Sequence, residues 1–168
     1  MTEQTGSGPS VYDETVFNLL FAHEIARAQR YAGPVTLLRV GLVYRHPSEG
    51  EQENAPHVLG ALLNARLRRS DIPARLGDEF VVLLTSTDHI GGRAVCERLL
   101  RLTPGTQTTP LGFSPGVAVC IGMSTHGGGP GLNGEQLMHE AVEALQIARA
   151  RGQQSYHVYS DTVRRKFQ

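Results

Sequence analysis

The amino-acid sequence predicts an α+β sandwich, with helices packed on one sheet. Apolar residues switch repeatedly between helical spacing and short continuous runs, which gives the element order α-β-α-β-β-α-β-α-β. The segment IPARLGDEFVVLLTS has the pattern of two strands joined by a tight turn, so antiparallel neighbours are expected in the sheet. Hydrophobic residues make up 40% of the 168 residues, enough for the core of one domain of ordinary size.

Two helices and one strand are predicted before this hairpin. A helix is expected from Asp13, a residue type that caps helices, to Tyr31, because apolar residues recur at helical spacing: Phe17, Leu20, Phe21, Ile25 and Ala28. Gly33-Pro34 ends this helix, and 35–44 is a buried strand. The polar segment 45–56 is predicted to be a loop. Residues 57–69 are predicted to form a second helix with one apolar stripe, made of Val58, Leu59, Leu62, Leu63 and Leu67.

Helices and strands alternate after the hairpin. We expect a helix at 89–101, a loop at 102–115, a buried strand at 116–124, a loop at 125–134, a helix at 134–151 and a short strand at 155–159. Residues 1–10 lack periodicity and are predicted to be a disordered tail, and 161–168 a basic tail. The predicted domain therefore spans 11–160.

Composition excludes several classes of function. The formal net charge is zero, so no general attraction to nucleic acid or to an anionic membrane surface is expected. No apolar run is long enough to span a bilayer, and the N-terminus lacks a secretion signal, so a cytoplasmic location is expected. Cys96 and Cys120 lie in apolar patterns that suit core residues, and the seven His residues show no paired metal spacing.

Five motifs in order carry a family resemblance. They are FAHEIARAQRY before the first strand, RRSDIPARLGDEFVVLL at the hairpin, CERLL in the next helix, VAVCIGMS in the following strand, and EALQIARARGQQSYHVY at the end. With this order and spacing, the chain resembles the GGDEF domain family, the diguanylate cyclases that condense two GTP into cyclic di-GMP. The resemblance covers about 13–159. It implies a palm-like, ferredoxin-related sandwich with a central, mostly antiparallel sheet of about five strands.

The active-site part of the resemblance is incomplete. Family cyclases carry two glycines before the acidic pair, whereas the tip here has one, and its residues are Gly77, Asp78, Glu79 and Phe80. The resemblance also implies a metal-binding acid at the end of the first strand, yet no Asp or Glu lies between Thr36 and Ser48. Carboxylate oxygen from one side seldom holds Mg²⁺ without further ligands. The tip is therefore predicted to be the remnant of an active site, with no catalytic residue, no metal and no cofactor.

Two further segments depart from the family pattern. The segment that recognises guanine in the family is replaced by VYRHPSEGEQEN, whose acids Glu49, Glu51 and Glu53 fall in the predicted loop. The lysine that contacts the triphosphate is replaced by Arg149, and an arginine-asparagine pair by Gln153-Gln154. An arginine at 149 still suits a phosphate. These departures predict a pseudoenzyme.

Family cyclases often carry an RxxD motif that binds their product and inhibits them, and this chain has such a motif at the family's distance from the hairpin. Arg68-Arg69-Ser70-Asp71 matches the family's RxxD motif and ends five residues before Gly77, and Arg98 in CERLL matches a third ligand contact. The resemblance implies that these residues bind cyclic di-GMP, with Arg68 and Arg98 on phosphate or guanine and Asp71 on the guanine N1 and N2 hydrogens. Arg69 is counted with this ligand set. Two alternatives stay open: Arg68 and Asp71 form a solvated pair, or the motif persists without use.

The sequence thus favours a catalytically inactive GGDEF-like domain that binds cyclic di-GMP and signals through an unidentified protein partner. A homodimer is a natural arrangement, because an intercalated ligand dimer can bridge two domains. One alternative is an interaction scaffold that binds no nucleotide. Another is a residual cyclase or GTP-binding protein that uses a displaced acid such as Glu49.

Overall fold

A computed structural model of the protein describes residues 11–45, 49–102 and 116–159. Within these ranges the elements follow the predicted order: α1 Glu14–Tyr31, β1 Val35–Tyr44, α2 Glu49–Arg66, β2 Ile72–Leu76, β3 Glu79–Thr85, α3 His89–Leu102, β4 Val117–His126, α4 Gly134–Ala150 and β5 Ser155–Val158. The predicted tails and most of the predicted loop at 102–115 lie outside the described residues. Among the described helices, none combines the length and the apolar character needed to cross a membrane.

The five strands form one sheet in the order β2-β3-β1-β4-β5. The β1 strand lies at its centre and pairs antiparallel with both β3 and β4, and β2 extends this pattern beyond β3. The β5 strand pairs parallel with β4. The prediction of a mostly antiparallel, palm-like sheet of about five strands is therefore confirmed.

Helices cover both faces of the sheet. One face packs on α2 and α3, where Leu59, Leu63 and Leu99 meet residues such as Val40 and Phe80. The other face packs on α1 and α4 and buries a second set: Phe17, Ile25, Leu37, Val81, Leu83, Leu137 and Ala141. Central strands that are buried on both faces consist mostly of apolar residues, which explains why they appear as nearly continuous apolar runs in the sequence.

The first helix begins and ends as its local chemistry predicts. The Asp13 carboxylate accepts a hydrogen bond from the Val16 amide at 2.9 Å, which caps the first turn. Ala32 takes a left-handed conformation, with φ of 51°, and so ends the helix. Both predicted limits of α1 are confirmed.

The predicted loop at 45–56 is wrong, because α2 begins at Glu49. Glu and Gln favour helices, and buried Ala55 and Pro56 continue the apolar face of the helix toward the sheet. The polar composition and the proline concealed this face from the sequence analysis. The helix also ends at Arg66 rather than 69. The Asp71 carboxylate accepts a hydrogen bond from the Arg68 amide at 2.9 Å, and this bond competes with continuation of the helix.

Both cysteines are free and buried, as their apolar surroundings predicted. Burial raises the pKa of the Cys96 thiol to about 12. A thiol with this pKa is protonated at neutral pH and does not react as a nucleophile. Cys96 and Cys120 are therefore core residues.

Candidate functional site

The acidic hairpin forms where the sequence predicts it. Leu76 and Glu79 pair across a two-residue turn in which Gly77 has a φ of 65°, a conformation that glycine adopts without steric cost. Asp78 is exposed at the tip, whereas Phe80 is buried in the core. The four residues of the tip therefore differ in their surroundings, and Glu79 is the acid that faces the sheet.

Two arginines bind the carboxylate of Glu79. Its Oε1 accepts a hydrogen bond from Arg39 Nε on β1 at 2.8 Å, and its Oε2 accepts one from Arg149 Nη1 on α4 at 2.8 Å. The Glu79 side chain is 22% exposed and that of Arg39 17%. Charge-assisted bonds of this kind are among the strong ones in proteins. The resulting Arg39–Glu79–Arg149 cluster carries a formal charge of +1.

Arg149 also covers the β1 strand beside this cluster. A Cβ atom added at Gly41 would overlap the Arg149 guanidinium. Arg39 and Gly41 are two residues apart and so face the same side of the sheet. On this side of the sheet, β1 therefore carries the positive charge of Arg39, and the guanidinium of Arg149 covers Gly41.

These residues do not fit a divalent cation. Among the residues that the structure describes, no group of three or more His, Cys, Asp or Glu side chains is arranged to hold a metal. Mg²⁺ needs oxygen ligands, and both oxygens of Glu79 already accept hydrogen bonds from guanidinium groups. A cation placed here would also be repelled by Arg39 and Arg149.

The RxxD motif forms a tight turn after α2. The Asp71 side chain is 0% exposed; its Oδ2 accepts the Arg68 amide hydrogen at 2.9 Å, and its Oδ1 lies 3.4 Å from Arg68 Nη2. Arg68 Nη2 also donates to Thr87 Oγ1 at 2.8 Å. The Arg68 side chain remains 57% exposed. The predicted Arg68–Asp71 pair is thus present, but its acidic partner is shielded from solvent.

Arg68 and Arg98 line the same cavity, whose volume is about 370 Å³. The cavity lies where β3 leads into α3, and Thr87 and Asp88 also line it. Arg98 Nη2 donates to the Arg66 carbonyl at 3.0 Å, which ties α3 to the end of α2. The fold therefore brings together two of the four predicted ligand residues.

The other two predicted residues do not line this cavity. Arg69 is exposed in the turn between α2 and β2, and the Asp71 carboxylate is buried. Sequence reasoning missed Arg39, although a lone charge within the apolar run VTLLRVGLVY was a usable signal. It also missed Thr87 and Asp88, whose role depends on contacts between segments distant in the chain.

The fold and the acidic hairpin define a palm-like α+β domain. The family model described as diguanylate cyclase, GGDEF domain, matches residues 57–155, which is more than half of the chain. The chain therefore belongs to the GGDEF domain family. A comparison with curated proteins gave no match.

Solved structures share this fold. The active GGEEF domain of a diguanylate cyclase from Vibrio cholerae gives a TM-score of 0.72 at 15% identity, covering 90% of this chain and 99% of that one. The GGDEF domain of DgcB from Caulobacter crescentus, in complex with c-di-GMP, gives 0.69 at 14% identity and covers 95% and 97%. Diguanylate cyclase SiaD from Pseudomonas aeruginosa, in complex with its activator SiaC, gives 0.67 at 21% identity and covers 87% and 58%.

Proposed function

We propose that this protein is a catalytically inactive GGDEF domain that binds cyclic di-GMP and acts through a protein partner. The observation that carries the proposal is the cavity that Arg68 and Arg98 line together. Its volume of about 370 Å³ is within the range of small-molecule sites. The two guanidinium groups suit the phosphates and the guanine edges of this ligand.

General magnitudes for charge-assisted contacts support a receptor function. Charge-assisted hydrogen bonds contribute about 1.5–3 kcal/mol each. Three or four of them, together with guanine stacking, reach the roughly −8 kcal/mol of micromolar binding. Arg68 is 57% exposed and held by Thr87, so its guanidinium is accessible to a ligand and its position is partly fixed before binding.

The cluster around Glu79 supports the absence of turnover. Phosphoryl transfer by this family needs metal ions to neutralise charge on the reacting phosphates. Here Arg39 and Arg149 occupy both oxygens of Glu79, and β1 offers no acid on that side. A guanidinium supplies positive charge but activates no nucleophile. Asp78 and Glu79 are therefore a remnant of the catalytic hairpin.

Protein partners are a further part of the proposal. One structural neighbour, SiaD, was solved in complex with its activator SiaC, and another, DgcB, in complex with c-di-GMP. Cyclic di-GMP presents two guanines and two phosphates, so a ligand dimer can join two copies of this domain symmetrically. The proposal includes a cytoplasmic location, which the two free cysteines support.

Titration calorimetry with purified protein and cyclic di-GMP tests the receptor function. We expect micromolar binding, and a loss of about tenfold or more in affinity for Arg98→Ala or Arg68→Ala. Arg101→Ala is the matched control, since Arg101 is an exposed arginine on the same helix that does not line the cavity. No heat on titration, or equal losses for Arg98→Ala and Arg101→Ala, would refute the proposal.

A second candidate function is an interaction scaffold that binds no nucleotide. It is favoured by apolar side chains that α1 leaves exposed, since Val16 is 38% and Leu19 70% exposed. Capture of a protein partner that is indifferent to cyclic di-GMP, and is lost on Leu19→Ser, would support the scaffold. Dependence of the same capture on cyclic di-GMP would support the receptor instead.

A further inference from the structure

The two edges of the sheet are covered in different ways. At the β2 edge, the backbone of Tyr12 pairs with the strand: its amide donates to the Pro73 carbonyl at 2.9 Å, and its carbonyl accepts from the Arg75 amide at 3.0 Å. The β5 strand forms the other edge. Unpaired backbone groups on an edge strand are a template for pairing with another chain. What covers β5 therefore decides whether a second chain can pair there.

The backbone of β5 presents Tyr156 and Val158 to the outer edge. The strand pairs parallel with β4, and the Tyr159 amide donates to the Met123 carbonyl at 2.7 Å. In a parallel pair, alternate residues bond to the neighbouring strand and the residues between them face the other way. His157 and Tyr159 therefore face β4, and the amide and carbonyl groups of Tyr156 and Val158 face away from it.

An arginine side chain occupies part of this outer edge. Arg151 ends α4, and Gly152 follows it with a φ of 70°, which turns the chain back toward β5. Arg151 Nη1 donates to the Tyr156 carbonyl at 2.9 Å, and Nη2 lies 2.9 Å from His157 Nδ1. Since arginine only donates, this ring nitrogen is the acceptor. Burial, followed by the charge of Arg151, lowers the pKa of His157 and so favours the neutral, accepting ring.

Without the Arg151 side chain, the β5 edge is complementary to itself. When two β5 strands pair antiparallel around a two-fold axis at His157, Tyr156 of each copy lies opposite Val158 of the other. One hydrogen bond of each such pair uses a Tyr156 carbonyl, which is the acceptor that Arg151 occupies. The same axis brings the two Arg151 guanidinium groups near each other, and like charges repel.

We propose that Arg151 is a guard residue that keeps the β5 edge from pairing with a second copy of this chain. It occupies the Tyr156 carbonyl and places a positive charge beside the two-fold axis that such pairing needs. Charged side chains on short edge strands are a common protection against association of this kind. Arg151 does not line the cavity of Arg68 and Arg98, so this role does not depend on the binding of cyclic di-GMP.

Sedimentation equilibrium of the full chain, without nucleotide, tests this role. The main variant is Arg151→Ala. The matched control is Arg30→Ala, since Arg30 is an exposed arginine at the end of α1, a helix that packs beside β2. A further variant combines Arg151→Ala with Val158→Pro, because proline has no amide hydrogen to donate across the outer edge. Thermal unfolding shows whether each variant is folded.

The wild type and Arg30→Ala are expected to remain monomeric at concentrations up to about 1 mM. Arg151→Ala should form a dimer whose affinity is at least about tenfold tighter than any self-association of the wild type. The combined variant should behave as the wild type, because it lacks the donor that bonds to the Tyr156 carbonyl of the second copy.

Several results would overturn the proposal. Arg151→Ala that associates no more strongly than the wild type, or no more strongly than Arg30→Ala, shows that Arg151 guards no edge. Dimers that persist in the combined variant place the contact on another surface. If the combined variant does not fold, hydrogen exchange decides: the Val158 amide must gain protection when Arg151→Ala dimerises, and the role is refuted if it does not.

Discussion

The two ends of β3 contain similar groups in different arrangements. At its start, Arg39 and Arg149 both bind the carboxylate of Glu79. Beyond its end, Arg68 and Arg98 line a cavity, and the Asp71 carboxylate is held by the Arg68 backbone amide. At the first site the acid takes both of its hydrogen bonds from arginine side chains, and Arg39 is only 17% exposed. At the second site the backbone supplies the shorter bond to the acid, and Arg68 remains 57% exposed and accessible to a ligand.

Removing Glu79 should have the largest effect on stability. Glu79→Ala leaves Arg39 and Arg149 close together without their shared acid, and we expect a loss of about 2 kcal/mol, reduced from the buried-pair range because the cluster is partly exposed. Urea denaturation measures this change. Glu143→Ala is the matched control, since Glu143 pairs with His139 on the surface and its loss should cost less than about 0.5 kcal/mol. Equal losses of stability in the two variants would show that the cluster does not stabilise the contacts between β1, β3 and α4.

Removing Asp71 should have the next largest effect. Asp71→Ala leaves the Arg68 amide without its buried acceptor, which costs about 1–2 kcal/mol in the free energy of unfolding. Asp78→Ala is the control, because Asp78 is exposed at the hairpin tip and should change stability by about 0.5 kcal/mol or less. A larger loss for Asp78 than for Asp71 would contradict the structural role assigned to the turn.

A smaller effect should appear as coupling between Gly41 and Arg149. In the wild type, Gly41→Ala must displace the guanidinium from Glu79, whereas in an Arg149→Ala background the space is open. A double-mutant cycle should therefore give a coupling energy of about 0.5–1 kcal/mol. Additive effects would mean that Arg149 does not lie over β1.

The smallest expected effect is on cyclase activity, because we expect the wild type to have none. Incubation with GTP and Mg²⁺ or Mn²⁺ is expected to yield no cyclic di-GMP, either in the wild type or in Asp78→Ala. Chromatography of the nucleotides detects the product. Its accumulation in the wild type, with loss in Asp78→Ala, would restore the alternative of a residual cyclase.

Local chemistry explains which parts of the fold were predictable. The Asp13 cap and the apolar spacing of α1 are properties of one segment, so both ends of that helix were predicted. The start of α2 was missed because the residues described as buried in its first turns, Ala55 and Pro56, include no large apolar side chain. The position of the hairpin followed from a short-range pattern, a tight turn between two apolar runs.

The candidate site was only partly accessible from the sequence. A motif in register located Arg68 and Arg98, which the fold then brings to one cavity. Burial of Asp71 and the position of Asp88 depend on how the end of α2 packs beside the start of α3, which no linear pattern encodes. The pairing of Arg39 with Glu79 joins residues 40 positions apart along the chain.

The contact of Arg149 with Gly41 limits which side chains β1 can carry beside the hairpin. Any residue with a Cβ atom at position 41 would overlap the Arg149 guanidinium, which binds Glu79. Positions 41 and 149 are therefore expected to tolerate replacement together more readily than one at a time.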